Sequence, residues 1–179
     1  QVVKQNDDKD VAVGNAIINM YSKCGELELA DNIFQRMRNR NVISWSSMIA
    51  AFAQHGHGKK VMPMLRQMKD EGVEPSQVTF KVILLACSHA GLVKEGQIIF
   101  SDMHFLYNLF PASEHYTCMV DLFSRAGHFD EAKHLVEKVH SFDRLPLLLS
   151  LLGACAKWVE VEVAKWVFSQ TLELDETCG

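Results

Sequence analysis

Apolar residues recur along this chain in a register that neither a single helix nor a β-strand explains. Five times an apolar pair appears: Ile17-Ile18, Met48-Ile49, Ile83-Leu84, Met119-Val120 and Leu151-Leu152. Seven residues beyond the second member of each pair stands a glycine, Gly25, Gly56, Gly91 and Gly127, with Val159 in the fifth place. After this break a second apolar stripe begins. It reads Leu27, Ala30, Ile33, Phe34 and Met37 in one stretch, and Phe129, Ala132, Leu135, Val136 and Val139 in another. Offsets of three and four put such side chains on one face of an α-helix. Glycine suits the left-handed residue that ends a helix. The pattern therefore predicts helical hairpins over 11–41, 42–76, 77–112, 113–144 and 145–179, with 1–10 as the tail of a preceding hairpin. Ala30, Gly96, Ala132 and Ala164 are small enough for the two helices of a hairpin to approach closely. One hairpin cannot bury both its apolar faces, so the expected fold class is all-α, an α-solenoid of stacked helix-turn-helix repeats. Pro63 falls past the first turn of a predicted helix and should kink or shorten it.

Composition adds limits. The 179 residues are 48% hydrophobic and 22% charged, the make-up of a folded domain and not of a disordered chain. No apolar run is long enough for a membrane span, and no membrane partner is expected. The formal net charge is −4, which argues against a broadly basic nucleic-acid surface but leaves room for a local stripe. Five cysteines, Cys24, Cys87, Cys118, Cys155 and Cys178, are odd in number and widely spaced. They predict buried free thiols in place of a disulfide framework or zinc ribbon. The chain opens on Gln1 without a signal or transit segment, as a piece of a longer protein would.

At this register the sequence resembles the pentatricopeptide repeat family, in its plant-type arrays of alternating long and short units. The match is carried by the run from Val13 to Gly25, by Val42-Ile43-Ser44-Trp45-Ser46-Ser47-Met48-Ile49, by Ala86-Cys87-Ser88-His89-Ala90-Gly91-Leu92-Val93 and by the run from Glu114 to Leu122. Ser150-Leu151-Leu152-Gly153-Ala154-Cys155 resembles the start of the E motif that follows the last ordinary repeat in such arrays. The resemblance implies single-stranded RNA as partner, inside a mitochondrion or plastid, in RNA editing or processing. One base is then read per repeat by the fifth and last residues, with the second residue as an apolar clamp on the base face.

Carried over, the resemblance makes Asn15, Asn41, Ser46, Ser76 and Thr117 base-reading residues and Ala12, Ile43 and Val78 clamps. Asn15 with Asn41 resembles a pyrimidine reader. Ser46 with Ser76 fits no strong code, a purine, adenine first, being the nearest match. Lys81 with Ala112 reads nothing, and Arg144 departs from the Asp or Asn usual beside a residue such as Thr117. Glu114 and Pro146 do not fit the clamp. Lys23, Arg125 and Lys157 share one place near the end of a first helix, where a cation favours either an RNA phosphate or the helix dipole. A protein partner at the C-terminal repeat and self-association through exposed solenoid ends are further expectations. The rival reading is a protein-interaction scaffold, with RNA read by repeats outside this chain.

No catalytic chemistry is expected. The HxE and PCxxC runs of a zinc deaminase are missing, and Gly58-Lys59-Lys60 lacks the spacing of a phosphate loop. His55-Gly56-His57 is a weak metal signal without a third ligand in register. Cys118 lies three residues from His115 but belongs to an apolar face, so no cofactor and no metal are expected. Trp45 and the recurrent Met37, Met68 and Met103 read as core, whereas Trp158 and Trp166 are candidates for exposure.

Overall fold

The computed structural model describes residues 2–139 and 144–177. These residues form ten α-helices and no strand: α1 Val2–Lys23, α2 Leu27–Arg36, α3 Val42–Gln54, α4 Gly58–Asp70, α5 Gln77–Ala90, α6 Val93–Phe105, α7 Ser113–Arg125, α8 Phe129–Lys138, α9 Arg144–Trp158 and α10 Val161–Thr177. They gather into two compact units, up to Ala86 and from Cys87 onward.

In the first unit α1 and α2 form a hairpin, α3 packs on both of them, and α4 packs on α3. Ile18, Ala30, Phe34, Trp45, Met48, Ile49 and Met68 are fully buried there. Ala30 is one of the small residues expected at a close helix approach. Trp45 meets the Phe34 ring edge-on at 4.8 Å. The Arg40 guanidinium covers both rings and pairs with Glu71 at 2.9 Å. This arrangement anchors the short link between α2 and α3.

In the second unit α7 packs on α6, α8 and α9, and α9 on α10. Leu122, Ala132, Val136, Leu147, Leu148 and Leu151 are fully buried. Gly96 faces Leu122 so closely that a Cβ at residue 96 would come within 2.3 Å of that side chain. Here the small residue serves contact between successive hairpins. Ala164 is only half-buried.

The hairpin turns repeat one device. Gly25, Gly56, Gly91 and Gly127 all have φ between 66° and 82°. After each, the next amide reaches back five residues, as Glu26 N–H does to Tyr21 O at 2.9 Å and His128 N–H to Phe123 O at 2.8 Å. This is the helix-ending motif that glycine favours. The fifth hairpin keeps the geometry without the glycine: Val159 sits at φ 59° and Glu160 N–H closes on Cys155 O at 3.0 Å.

Three local expectations need correction. The break expected at residues 10–11 is absent, because α1 runs on from Val2; no glycine or proline precedes Gly14 to end it. Pro63 does not shorten its helix: α4 spans 13 residues, as α3 does. Its ring faces solvent, where burial of Val61, Met64, Leu65 and Met68 on the opposite face offsets the lost hydrogen bond. Cys24 is exposed, whereas Cys87, Cys118 and Cys155 are buried free thiols as anticipated. Cys24 sits on the solvent side of the turn that ends α1. Cys178 lies outside the described residues.

Candidate RNA-facing grooves

At the first two links between hairpins, the polar residue preceding the next helix becomes its cap. Asn41 precedes α3, and its Oδ1 accepts the backbone N–H of Ile43 at 3.1 Å and of Ser44 at 3.0 Å. Ser44 Oγ–H donates to the same oxygen at 3.1 Å and accepts Asn41 N–H at 3.2 Å, completing a capping box. Two backbone donors converge on that atom, so it must be the amide oxygen, and Asn41 keeps its NH2 for another partner. Asn15 Nδ2 reaches the same Oδ1 at 3.4 Å. Asn15 and Asn41 therefore meet side by side, both amides oriented. Asn15 Oδ1 is buried without a hydrogen-bond donor, so N–H groups are what the pair has left to offer.

The next joint has the same plan with hydroxyls. Ser76 precedes α5, and Ser76 N–H donates to Thr79 Oγ1 at 3.0 Å while Thr79 N–H donates to Ser76 Oγ at 3.3 Å. Thr79 Oγ1 also lies 3.1 Å from Ser76 Oγ and 2.8 Å from Ser46 Oγ. Ser46 and Ser76 are thus joined through a fully buried threonine. They line a mostly apolar groove of about 390 Å³ with Val42, Ile43, Ser47, Ala50, Val78 and Val82. Ile43 and Val78 expose 57% and 61% of their surface there, enough for an aliphatic face to cover a flat ring. Ala12, also assigned as a clamp, is exposed on α1. A second concavity of about 340 Å³, beside Asp10, Arg36 and Arg38, contains none of these residues.

The later repeats differ. Lys81 is half-buried, and Ala112 precedes α7 with no polar side chain. The cap there is supplied by buried His115, whose Nδ1 accepts Ala112 N–H at 3.1 Å. Thr117 donates its hydroxyl back to Ser113 O at 2.9 Å. Arg144 is spent on the end of α8, Nε on Val139 O at 2.7 Å and Nη2 on Glu137 O at 3.0 Å. The pairing of Thr117 with Arg144 accordingly does not form in the manner of the earlier joints. Both side chains satisfy backbone carbonyls instead. Glu114 and Pro146 are exposed at the clamp places.

Among the three aligned cations, Lys23 and Lys157 are exposed near the ends of α1 and α9. Arg125 is already engaged: Nε lies 2.9 and 2.8 Å from the two oxygens of Asp121, and Ser88 Oγ donates to the same carboxylate. The histidine turn separates its two rings. His55 Nε2 lies 2.8 Å from Ser22 O, and His57 packs edge-on against Phe52. Among the described residues no group of three metal-ligating side chains occurs, and no helix is long and apolar enough to cross a membrane. Burial, with Glu95 nearby, pushes the Cys87 thiol up to about 11. Desolvation and Glu160 raise Cys155 as well. These thiols stay protonated at neutral pH, the opposite of what a nucleophile needs. Trp158 is half exposed, and Trp166 lies under Lys133 Nζ at 4.9 Å from its ring.

Sequence reading missed Ser44 and Thr79. The signal was present as Asn41-x-x-Ser44 and Ser76-x-x-Thr79, capping-box spacings at a helix start.

Sequence comparison bears on the same register. The PPR repeat model matches residues 15–42, 78–105 and 114–143, and the PPR repeat family model matches 40–89. The chain belongs to the pentatricopeptide repeat family. A mitochondrial pentatricopeptide repeat-containing protein of Arabidopsis thaliana is 42% identical over 96% of this chain and 37% of its own length. A chloroplastic one from the same plant is 43% identical over 98% of this chain and 21% of its own. The chain thus spans well under half of these relatives. Among solved structures, the maize pentatricopeptide repeat protein PPR10 aligns with a TM-score of 0.73 at 19% identity, over 93% of this chain and 25% of that one. PPR10 in complex with an 18-nt psaJ RNA element aligns at 0.69, with 19% identity over 91% and 28%. The fold is the helical-repeat solenoid of these proteins.

Proposed function

We propose that this chain is a non-catalytic, single-stranded RNA-binding stretch of a plant organellar RNA-editing or RNA-processing factor, acting in a mitochondrion or plastid and reading one base per repeat. The observation that carries the reading is the meeting of fifth and last residues at two successive joints: Asn15 with Asn41, and Ser46 with Ser76 beside Ile43 and Val78. Hydrogen bonds to an unstacked base specify it, and contact with its flat face holds it. Asn15 and Asn41 offer N–H groups, which suit the carbonyl oxygens of a pyrimidine. The serine groove takes the next base between Ile43 and Val78. Thr117 contributes little as a reader, since its hydroxyl is directed to Ser113 O. Lys23 and Lys157 supply phosphate contacts and Arg125 less, being held by Asp121. The name of PPR10's RNA complex and the organellar names of the relatives support this reading.

The test is fluorescence anisotropy with short single-stranded RNAs. Asn15→Ala with Asn41→Ala should weaken binding of pyrimidine-containing RNA at least about tenfold, two lost hydrogen bonds being worth about that much. Unchanged binding overturns the base-reading assignment.

A second reading, a scaffold for protein partners, is favoured by one observation. Leu145, Leu149 and Leu152 on α9 and Val161, Phe168 and Leu172 on α10 are exposed at helical spacing, with Trp158 half exposed beside them. Absence of any RNA complex even at low ionic strength would favour this reading over the first. Self-association through such a face would appear as a concentration-dependent mass in light scattering.

A further inference from the structure

Thr79 belongs to no pair of reading residues, yet it touches both members of one. Its Oγ1 already spends one lone pair on the Ser76 backbone N–H. One O–H and one lone pair remain, and two serine hydroxyls, Ser46 at 2.8 Å and Ser76 at 3.1 Å, compete for them. If Thr79 donates to Ser76, it must accept from Ser46; if it donates to Ser46, it must accept from Ser76. Ser76 Oγ has also committed a lone pair to Thr79 N–H. In the first order Ser46 turns lone pairs toward the groove and Ser76 turns its O–H. In the second, Ser46 offers an O–H and Ser76 a lone pair. The two serines can therefore never donate together, and each order sets one donor beside one acceptor. On their Watson–Crick edges adenine sets its N6–H2 donor beside the N1 acceptor and guanine its O6 acceptor beside the N1–H donor, so the two orders that survive match the two purines.

We propose that Thr79 is a positioning residue for RNA recognition, a buried hydroxyl relay that makes Ser46 and Ser76 act as one complementary donor–acceptor pair whose order can reverse. The proposal rests on the base-reading role given above to the two serines. Burial strengthens it: Thr79 is wholly enclosed and Ser46 is only 8% exposed, so water cannot replace the relay. The joint before it is built alike, with buried Ser44 bonded to Asn41, but there a single amide fixes its own order.

The relay predicts that this groove takes adenine and guanine alike, because the two purines share a shape and present opposite orders. Anisotropy titrations with RNAs differing only at the base opposite this groove should give dissociation constants within about threefold of each other, less than one bidentate contact discriminates. In the wild-type background, Ser46→Ala with Ser76→Ala should weaken binding about fivefold or more. In Thr79→Val the same pair of changes should weaken it less than about twofold, and Thr79→Ser should restore the wild-type response. A merely structural Thr79 would lower affinity for every RNA and leave the serine effect intact. That additive result, or a purine preference above about tenfold in the wild type, overturns the relay. A serine pair silent in the wild-type background overturns the base-reading role itself, and the relay with it. Thermal melts of each variant separate loss of fold from loss of recognition.

Discussion

At the scale of single residues, capping and the proposed base reading fall on the same side chains. Asn41 Oδ1 satisfies the first turn of α3 and leaves only the NH2 for a further partner. Asn41→Ala should therefore cost about 1 kcal/mol of stability as a lost cap, measured by urea unfolding, besides its effect on RNA. Val159 holds a backbone conformation that a β-branched residue resists, at φ 59°. A left-handed L-residue costs about 1–2 kcal/mol, of which glycine's extra unfolded-state entropy takes back part. Val159→Gly should raise the melting temperature by about 2–4 °C for a net gain near 1 kcal/mol, and a lower value would show that the side chain packs usefully. Thiol chemistry divides in the same residue-by-residue way. At pH 8, Cys24 should take up iodoacetamide in the folded protein, whereas Cys87, with its pKa near 11, should react only on unfolding; peptide mapping by mass spectrometry decides it.

At the scale of elements, two helical glycines have opposite environments. Gly96 on α6 meets Leu122 of α7, which is fully buried and has nowhere to swing. Gly96→Ala should therefore destabilise by about 1–3 kcal/mol through overpacking. Gly153 on α9 has open space around its missing Cβ. Gly153→Ala should stabilise by up to about 1 kcal/mol through helix propensity. Guanidinium unfolding of the two variants, side by side, checks both signs. The hairpins themselves were legible in sequence, since apolar spacing marks every helix pair and a glycine break marks four of the five. Pro63 misled because an exposed proline on an amphipathic helix disturbs only the solvent side. The long α1 was not legible, because nothing at residues 10–11 punctuates it and only the absence of a breaker marks its continuity.

At the scale of the whole molecule, a formal charge of −4 leaves few cations for phosphate. If Lys23, Lys157 and Arg125 were all engaged, the slope of log affinity against log salt would be about −2, at roughly 0.7 per single-strand phosphate. Lys23→Ala should make it shallower by about 0.7, and Arg125→Ala by clearly less, because Asp121 already neutralises that arginine. Equal changes from the two variants would show that RNA draws Arg125 away from its carboxylate. The candidate site was legible in part. The places of Asn15, Asn41, Ser46 and Ser76 follow from repeat register together with the family resemblance that singles out fifth and last residues. That Thr117 and Arg144 turn to backbone carbonyls does not, because register says where a side chain starts and not which partner it finds.

Sequence alone determined the repeat, the hairpins and the turns, because these depend on local periodicity and on what glycine permits, and the resemblance of particular residue runs pointed to the family. Tertiary structure decided which hydroxyls and amides were left free. A hydrogen-bonding group has few valences, and only the packed neighbours, Ser44 bonded to Asn41 and Thr79 bonded to the two serines, decide how many remain for a further partner.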